Sequence, residues 1–558
     1  MGALAFVVVS LVLYFLAYKF YATYLAEKIW RLDPNAETPA TKYDDGFEFV
    51  PTRTDVVAGH HFTSIAGAAP IVGPVVAAIW GWLPGLLWIV LGTIFFGAVH
   101  DFGALVMSLR KEGRGIADFM EDLLGKWAMR LMYIVIFFIL VLVSAVFVHV
   151  VTVLSRAFPA AVAALWIEIP LALIIGIMLR KNFNINIYVA AGIAVAIMYS
   201  FIWVGLRFEH LLEFSYQTWV IILLAYMFIA SRLPVWLLVQ PRDFINGMQL
   251  IIALTLASVA VVALAFTGGG QLVAPVVEMA PEGAPPIWPF LFIVIACGAI
   301  SGWHSIVGTG TTPKQLKSET AAKPVGYGSM LAEGYLAVIA LITAVVGLGA
   351  AGYAQFYGSW GAAAWPVVWA QGGGNILAAL GIPTAVAAAF MAVVAKSFAM
   401  TTLDSAMRFT RIAFAESVKT FGLPKILADR TISIIPGFLV IALLAWPQAA
   451  TGSGYGMVLW PLFGATNQIL ASLALLASGV FLMSLGRSTI NYIIPFVLLL
   501  VTSMTAMGHS LLFNYIPNQQ WPLVVIGSVV FLSALGVLVI SIMTYKDRKK
   551  IAAEIDVS

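Results

Sequence analysis

The sequence predicts an all-α polytopic membrane protein of about fifteen spans. Three observations predict it. Of the 558 residues, 61% are hydrophobic and only 10% charged, whereas a soluble domain is about half apolar and a quarter charged. The apolar residues gather in runs long enough to cross hydrocarbon, which takes about 20 residues of helix. Two of these runs, near 64–80 and 217–239, are interrupted by Pro where a span would otherwise be continuous.

In chain order, spans are expected near 3–25, 64–80, 84–109, 127–156, 160–179, 184–206, 217–239, 244–266, 287–308, 324–351, 383–415, 431–447, 455–484, 490–512 and 520–544. The first run, about 3–24, has no positively charged leader and no small-residue cleavage site, so it reads as a retained helix. The Gly-, Ala- and Trp-rich stretch 360–383 reads as an outer loop or a half-inserted segment. Alternate connections carry the basic residues: Lys28, Arg31, Lys42 and Arg53, then Arg110, Lys111, Arg114 and Lys126, then Arg180 and Lys181, Arg242, Lys314 and Lys317, and so on to Lys546 and Arg548. The intervening connections carry only Arg156 and Arg207. Positive charge stays on the cytoplasmic side, which sets the N-terminus outside and the C-terminus inside.

Composition excludes several functions. Cys297 is the single cysteine, so neither a disulfide framework nor a cysteine metal cluster is expected. The net charge of +4 is spread over loops and makes no nucleic-acid patch. No Walker loop or dinucleotide fingerprint is present, which leaves a gradient, or no energy source at all, to drive any work. His-Glu-x-x-His and Gly-x-Ser-x-Gly are absent too, so an intramembrane enzyme is disfavoured and no cofactor or metal is expected.

The stretch 59–74 organises the rest. Gly67, Ala68, Ala69, Pro70, Gly73 and Pro74 fall inside an apolar run, where Pro lacks an N–H and Gly loosens the backbone. Unwound backbone survives in hydrocarbon only when buried in protein or lining a polar cavity, and such breaks mark carrier binding sites. A second break is expected at Ser231-Arg232-Leu233-Pro234, resuming at Val235, with Arg232 facing a cavity or snorkelling to the inner surface. Two five-helix units, each opening on a broken helix, give a LeuT-type 5+5 inverted repeat with extra helices at both ends. The division is then an N-terminal helix (1–25), a cytoplasmic loop (26–58), a ten-helix core (59–418, repeats 59–210 and 211–418) and accessory helices (419–558).

Polar residues within spans complete the candidate set. Ser301, His304 and Ser305 fall at i, i+3 and i+4 and share one helical face, suited to a small cation or a proton. Lys396 lies about 20 Å along its helix, near the midplane, where a lysine must pair, lose its proton or touch substrate. Asp404 and Arg408 suit an interfacial ion pair at i, i+4 or a proton site. His100, Asp101 and Glu333 are intramembrane titratable groups; His60 and His61 point about 100° apart on a helix and make a poor metal pair.

The runs His60-His61-Phe62, Gly97-Ala98-Val99-His100-Asp101, Cys297-Gly298-Ala299-Ile300-Ser301-Gly302-Trp303-His304-Ser305, Gly308-Thr309-Gly310-Thr311-Thr312-Pro313-Lys314, Thr401-Thr402-Leu403-Asp404-Ser405 and Trp460-Pro461-Leu462-Phe463-Gly464-Ala465-Thr466-Asn467-Gln468 together resemble the carbon starvation protein CstA family. The resemblance spans nearly the whole chain. It implies an inner-membrane uptake carrier of the amino acid–polyamine–organocation superfamily, linked to peptide uptake and in some branches to pyruvate uptake with protons. The expected partners are a peptide or small-molecule substrate, a proton or other cation and the lipid bilayer, with homo-oligomerisation left open. Substrate contacts are expected from Gly67, Ala68, Ala69, Pro70, Gly73, Arg232, Trp303 and Lys396, and coupling from Ser301, His304, Ser305, Asp101 and Asp404. The competing readings are a sodium-coupled carrier of another small metabolite, and a channel or facilitator.

Overall fold

A computed structural model describes residues 2–46, 48–180, 186–234, 236–362, 365–447 and 454–556, with side chains to residue 544. Lys181, Val235 and part of the 360–383 stretch lie outside the described residues. Apart from one parallel bridge between Thr52 and Leu316, the regular structure among them is helical.

Among the described residues, eleven helices are long and apolar enough to cross a membrane: α1 (Gly2–Trp30), α4 (Trp82–Arg110), α5 (Lys126–Ala157), α6 (Ala160–Arg180), α7 (Ile187–Arg207), α9 (Val239–Phe266), α12 (Glu319–Gly347), α14 (Thr384–Thr420), α16 (Gly456–Ser484), α17 (Ile490–Tyr515) and α18 (Trp521–Thr544). A twelfth span is a bent pair, α2 (Thr54–Ile65) and α3 (Ala69–Trp80), which meet at 49°. The remaining three expected spans are shorter or interrupted: α8 (Tyr216–Ala230), α10 (Ile287–Val294) with α11 (Gly302–Gly310), and α15 (Ile432–Ala445).

Burial sorts these helices. The apolar windows of α14 and α16 are 89% buried and that of α5 83%, while those of α1, α7 and α9 are 33% buried. A helix apolar all round belongs either inside a bundle or against lipid. Here α5, α14 and α16 form the centre and α1, α7 and α9 the rim. The ends follow local chemistry. Gly81 and Gly125 take left-handed φ values of 91° and 92°, turning the chain into α4 and α5, and α5 stops two residues before Pro159.

One expectation changes. Residues 231–234 and 236–238 form no break within a helix. They connect α8 to α9, which begins at Val239, earlier than expected, with Pro241 in its first turn, where a missing N–H costs nothing. Arg232 is therefore exposed at the end of α8, its guanidinium 4.8 Å from the Phe228 ring centroid. Within 360–383, residues Trp365–Leu377 form a largely buried helix, α13, packed on α14 and α3. A row of glycines lets it approach α12 and α14: a Cβ at Gly372 would collide with the Thr343 carbonyl oxygen of α12, and one at Gly374 with the Ala388 backbone of α14.

Candidate transport site

The first break spans residues 66–68. Ala66 leaves the helical region (φ −74°, ψ 76°), and α3 restarts with Pro70 in its first turn. Gly67, Ala68, Ala69, Pro70 and Gly73 are all buried. Gly73 sets the next contact, because a Cβ there would sit 2.5 Å from the Val294 carbonyl oxygen at the end of α10. A Cβ at Gly67 would lie 2.9 Å from the Thr402 hydroxyl of α14. The first break is thus wedged between α10 and α14.

A second break lies in the 287–310 segment. Ile295 departs from helix, Ala296–Ala299 makes a single turn, and Ile300 and Ser301 are extended (φ −163° and −141°) before α11 begins. Broken helices leave orphan N–H and C=O groups that must be satisfied in a buried setting, and neighbouring side chains do so here. Asn467 of α16 accepts from the Trp303 N–H (3.0 Å) and from the Ser301 hydroxyl (3.2 Å). The Trp460 indole donates to the Val294 carbonyl (3.1 Å), the Gln468 amide to the Phe292 carbonyl (2.7 Å), and the Thr93 hydroxyl to the Gly298 carbonyl (3.2 Å). Trp303 then joins the breaks: its indole N–H donates to the Ser64 carbonyl (2.9 Å), one residue before α2 ends.

Three residues past Ser301, His304 is buried between two carboxylates. Its Nδ1 lies 2.8 Å from Asp101 Oδ2, and its Nε2 lies 3.2 Å from Glu333 Oε2, close but not aligned for a hydrogen bond. His100 Nδ1 is 2.7 Å from the other Asp101 oxygen. All four side chains are at most 1% exposed. Next to them, His61 Nδ1 meets the Thr312 hydroxyl at 2.8 Å, whereas His60 turns toward Asp243 of α9. The structure therefore gathers Asp101 from α4, His304 from α11 and Glu333 from α12 beside both breaks.

The other expected site residues divide. Ser301 does not share a face with His304 and Ser305, because the extended backbone at 300–301 turns it toward Asn467. The Ser305 hydroxyl is used within its own helix, donating to the Gly302 carbonyl at 2.7 Å. Lys396 is fully buried in α14, and its Nζ has no hydrogen-bond partner among the described residues. Asp404 does not pair with Arg408, which donates instead to the Leu233 carbonyl (2.6 Å). Its partner is Arg242 of α9 at 2.8 Å, whose Nε also donates to Glu168 of α6 at 2.7 Å. Arg242 and Glu168 escaped the sequence reading. Glu168 had a visible signal, a lone acid within an apolar run, while Arg242 lies beside Pro241 and looks like a loop charge.

Long apolar helices packed around a buried polar centre define a polytopic membrane protein. The chain belongs to the carbon starvation protein CstA family, whose model matches residues 2–364 and 362–506. It is 32% identical over 575 residues to a peptide transporter CstA of Campylobacter jejuni, covering 90% of this chain and 79% of that one. It is 31% identical over 601 residues to the pyruvate/proton symporter BtsT of Escherichia coli, covering 93% and 83%. Among solved structures, an Eremococcus coleocola manganese transporter overlays with a TM-score of 0.45 at 13% identity, covering 93% of this chain and 99% of that one. That likeness is too distant to bear on the fold.

Proposed function

We propose that this chain is a secondary-active importer of small peptides or pyruvate-like carboxylates, coupled to protons and working by alternating access across a bacterial-type inner membrane. The observation that carries this is the buried Asp101–His304–Glu333 cluster set directly beside two interrupted helices. Ionisable groups within spans are costly and are retained for ion or substrate pathways. The family relatives named as a peptide transporter and a pyruvate/proton symporter support the substrate classes and the coupling ion.

The substrate site lies where α3 and α11 begin. The positive ends of their dipoles favour a carboxylate, and Trp303 and Lys396 are the side chains to meet it. His304 and Asp101 hold the coupling proton, with Glu333 opposite. Ser301 acts through Asn467 by fixing the second break.

The inverted repeat, which belongs with the wider amino acid–polyamine–organocation superfamily, pairs the broken span 54–80 with 287–310 instead of with 217–239. Reciprocal packing supports this: α3 lies on α12, the helix after the second break, and α11 lies on α4, the helix after the first. The two repeats then cover about 54–207 and 287–484, and α8 with α9 joins them. The N-terminus lies outside and the C-terminus inside, as the loop charges require. A sodium-coupled reading has one observation in its favour, the Thr402 hydroxyl beside the unwound backbone at Gly67.

A thermal-shift screen of purified protein against dipeptides, pyruvate and related acids, followed by counterflow of each stabilising compound, tests the reading. Stabilisation and counterflow by at least one peptide or 2-oxo acid are expected. Stabilisation by none of them, or conductance in place of counterflow, refutes it.

A further inference from the structure

A second charged centre lies where α6, α8, α9 and α14 meet. Arg242 is fully buried and faces two fully buried carboxylates, Glu168 and Asp404. With both carboxylates ionised the group would carry a net negative charge away from water, at a cost of several kcal/mol. One bound proton removes that charge. Between these two carboxyls, hydrogen bonding points to Asp404 as its holder. Both oxygens of Glu168 are occupied as acceptors, Oε1 by Arg242 and Oε2 by the Ser397 hydroxyl at 2.7 Å. Asp404 differs: Oδ2 accepts from Arg242 (2.8 Å) and from the Tyr226 hydroxyl (2.9 Å), while Oδ1 has no partner among the described residues. An Arg guanidinium does not give up its proton in proteins.

A neighbouring acid and a histidine lie between this centre and a cavity. Asp243 follows Arg242 on α9, is 3% exposed and has an unpartnered Oδ1. Its Oδ2 lies 3.6 Å from His60 Nδ1, and the His60 side chain is 22% exposed. His60 lines a cavity of about 370 Å³ together with Thr52, Arg180, Trp236 and Gln315. The remaining titratable neighbours are Tyr226 of α8 and Tyr199 of α7, with Lys396 and Arg408 on Asp404's own helix.

We propose that Asp404 is a second proton-binding site, held against the fixed Glu168–Arg242 ion pair and exchanging its proton with the cavity through His60 and Asp243. When Asp404 ionises, its proton passes to the His60–Asp243 pair and from the imidazolium to water in the cavity. The carboxylate left behind stays paired with Arg242. The proposal extends the proton-coupled reading above, but the proton at Asp404 is detectable without any substrate.

Infrared difference spectra of the purified full-length protein, taken in H2O and D2O across pH, test it. A protonated-carboxyl C=O band is expected that Asp404→Asn removes and that Glu333→Gln leaves in place. Tyr226→Phe, which keeps the carboxyl but removes one donor to Oδ2, is expected to shift that band. His60→Gln is expected to keep it and slow its deuterium exchange. A wild-type spectrum with no such band, or a band indifferent to Asp404→Asn and Tyr226→Phe, overturns the proposal. If Asp404→Asn does not fold, the wild-type spectrum and Tyr226→Phe still decide. Failure of gradient-driven uptake would leave this band standing, and loss of the band would leave uptake standing, so the two readings fail separately.

Discussion

Asn467 accepts from both the Trp303 N–H and the Ser301 hydroxyl, so replacing it with Leu leaves two buried donors unpaired. Each stranded donor costs about 1–3 kcal/mol. Asn467→Leu should therefore lower the thermal midpoint in detergent markedly, whereas Leu470→Val, one turn along and also buried, should lower it far less. At this scale the sequence is legible for single groups and silent on pairs. Asp101, His304 and Glu333 stand out because each is ionisable within an apolar run. That His304 reaches Asp101 depends on which helices pack together across 203 residues of chain, and no local pattern carries that. Asp404 shows the same limit: the i, i+4 spacing to Arg408 offers a local partner, and tertiary packing supplies Arg242 instead.

The breaks belong to the scale of the element. At Gly73 the obstacle to a side chain is the main-chain oxygen of Val294, which cannot swing away as a flexible side chain would. Gly73→Ala must push α3 off α10, at about 1–3 kcal/mol. It should lower both stability and counterflow, and unchanged counterflow would detach the first break from transport. The first break is legible because Gly67, Pro70 and Pro74 crowd into one run. The second is hidden, because Ser301, His304 and Ser305 fit a continuous helix and only Gly298 and Gly302 hint otherwise. Pro234 misleads in the other direction. It marks a turn between helices, yet looks like a break because apolar residues continue on both sides.

For the whole molecule, twelve of the expected spans appear as long helices or the bent pair, since length and apolarity are summed over many residues and survive local misreadings. The proposed repeat is not readable from the sequence, because it depends on which break is paired with the first. Alternating access makes a further demand on the two ends of the bundle. The Thr52 N–H donates to the Gln315 carbonyl (2.9 Å) beside the start of α2, and the Glu278 N–H donates to the Trp80 carbonyl (2.9 Å) at the end of α3. With the single Cys297 replaced by Ser, cysteines introduced at Gln315 or at the exposed Glu282 should react with an impermeant maleimide from opposite sides. A transported substrate should change the two rates in opposite directions. Rates unmoved by any substrate that supports counterflow would contradict alternating access.

The most direct measurement is accumulation of labelled pyruvate and a labelled dipeptide in proteoliposomes with and without an imposed pH gradient, for the wild-type protein and Asp101→Asn. Wild-type protein should concentrate at least one of the two only under the gradient, and Asp101→Asn should exchange that substrate without concentrating it. Accumulation indifferent to the gradient, or an Asp101→Asn protein driven by it as strongly as the wild type, would contradict coupling at the helix breaks.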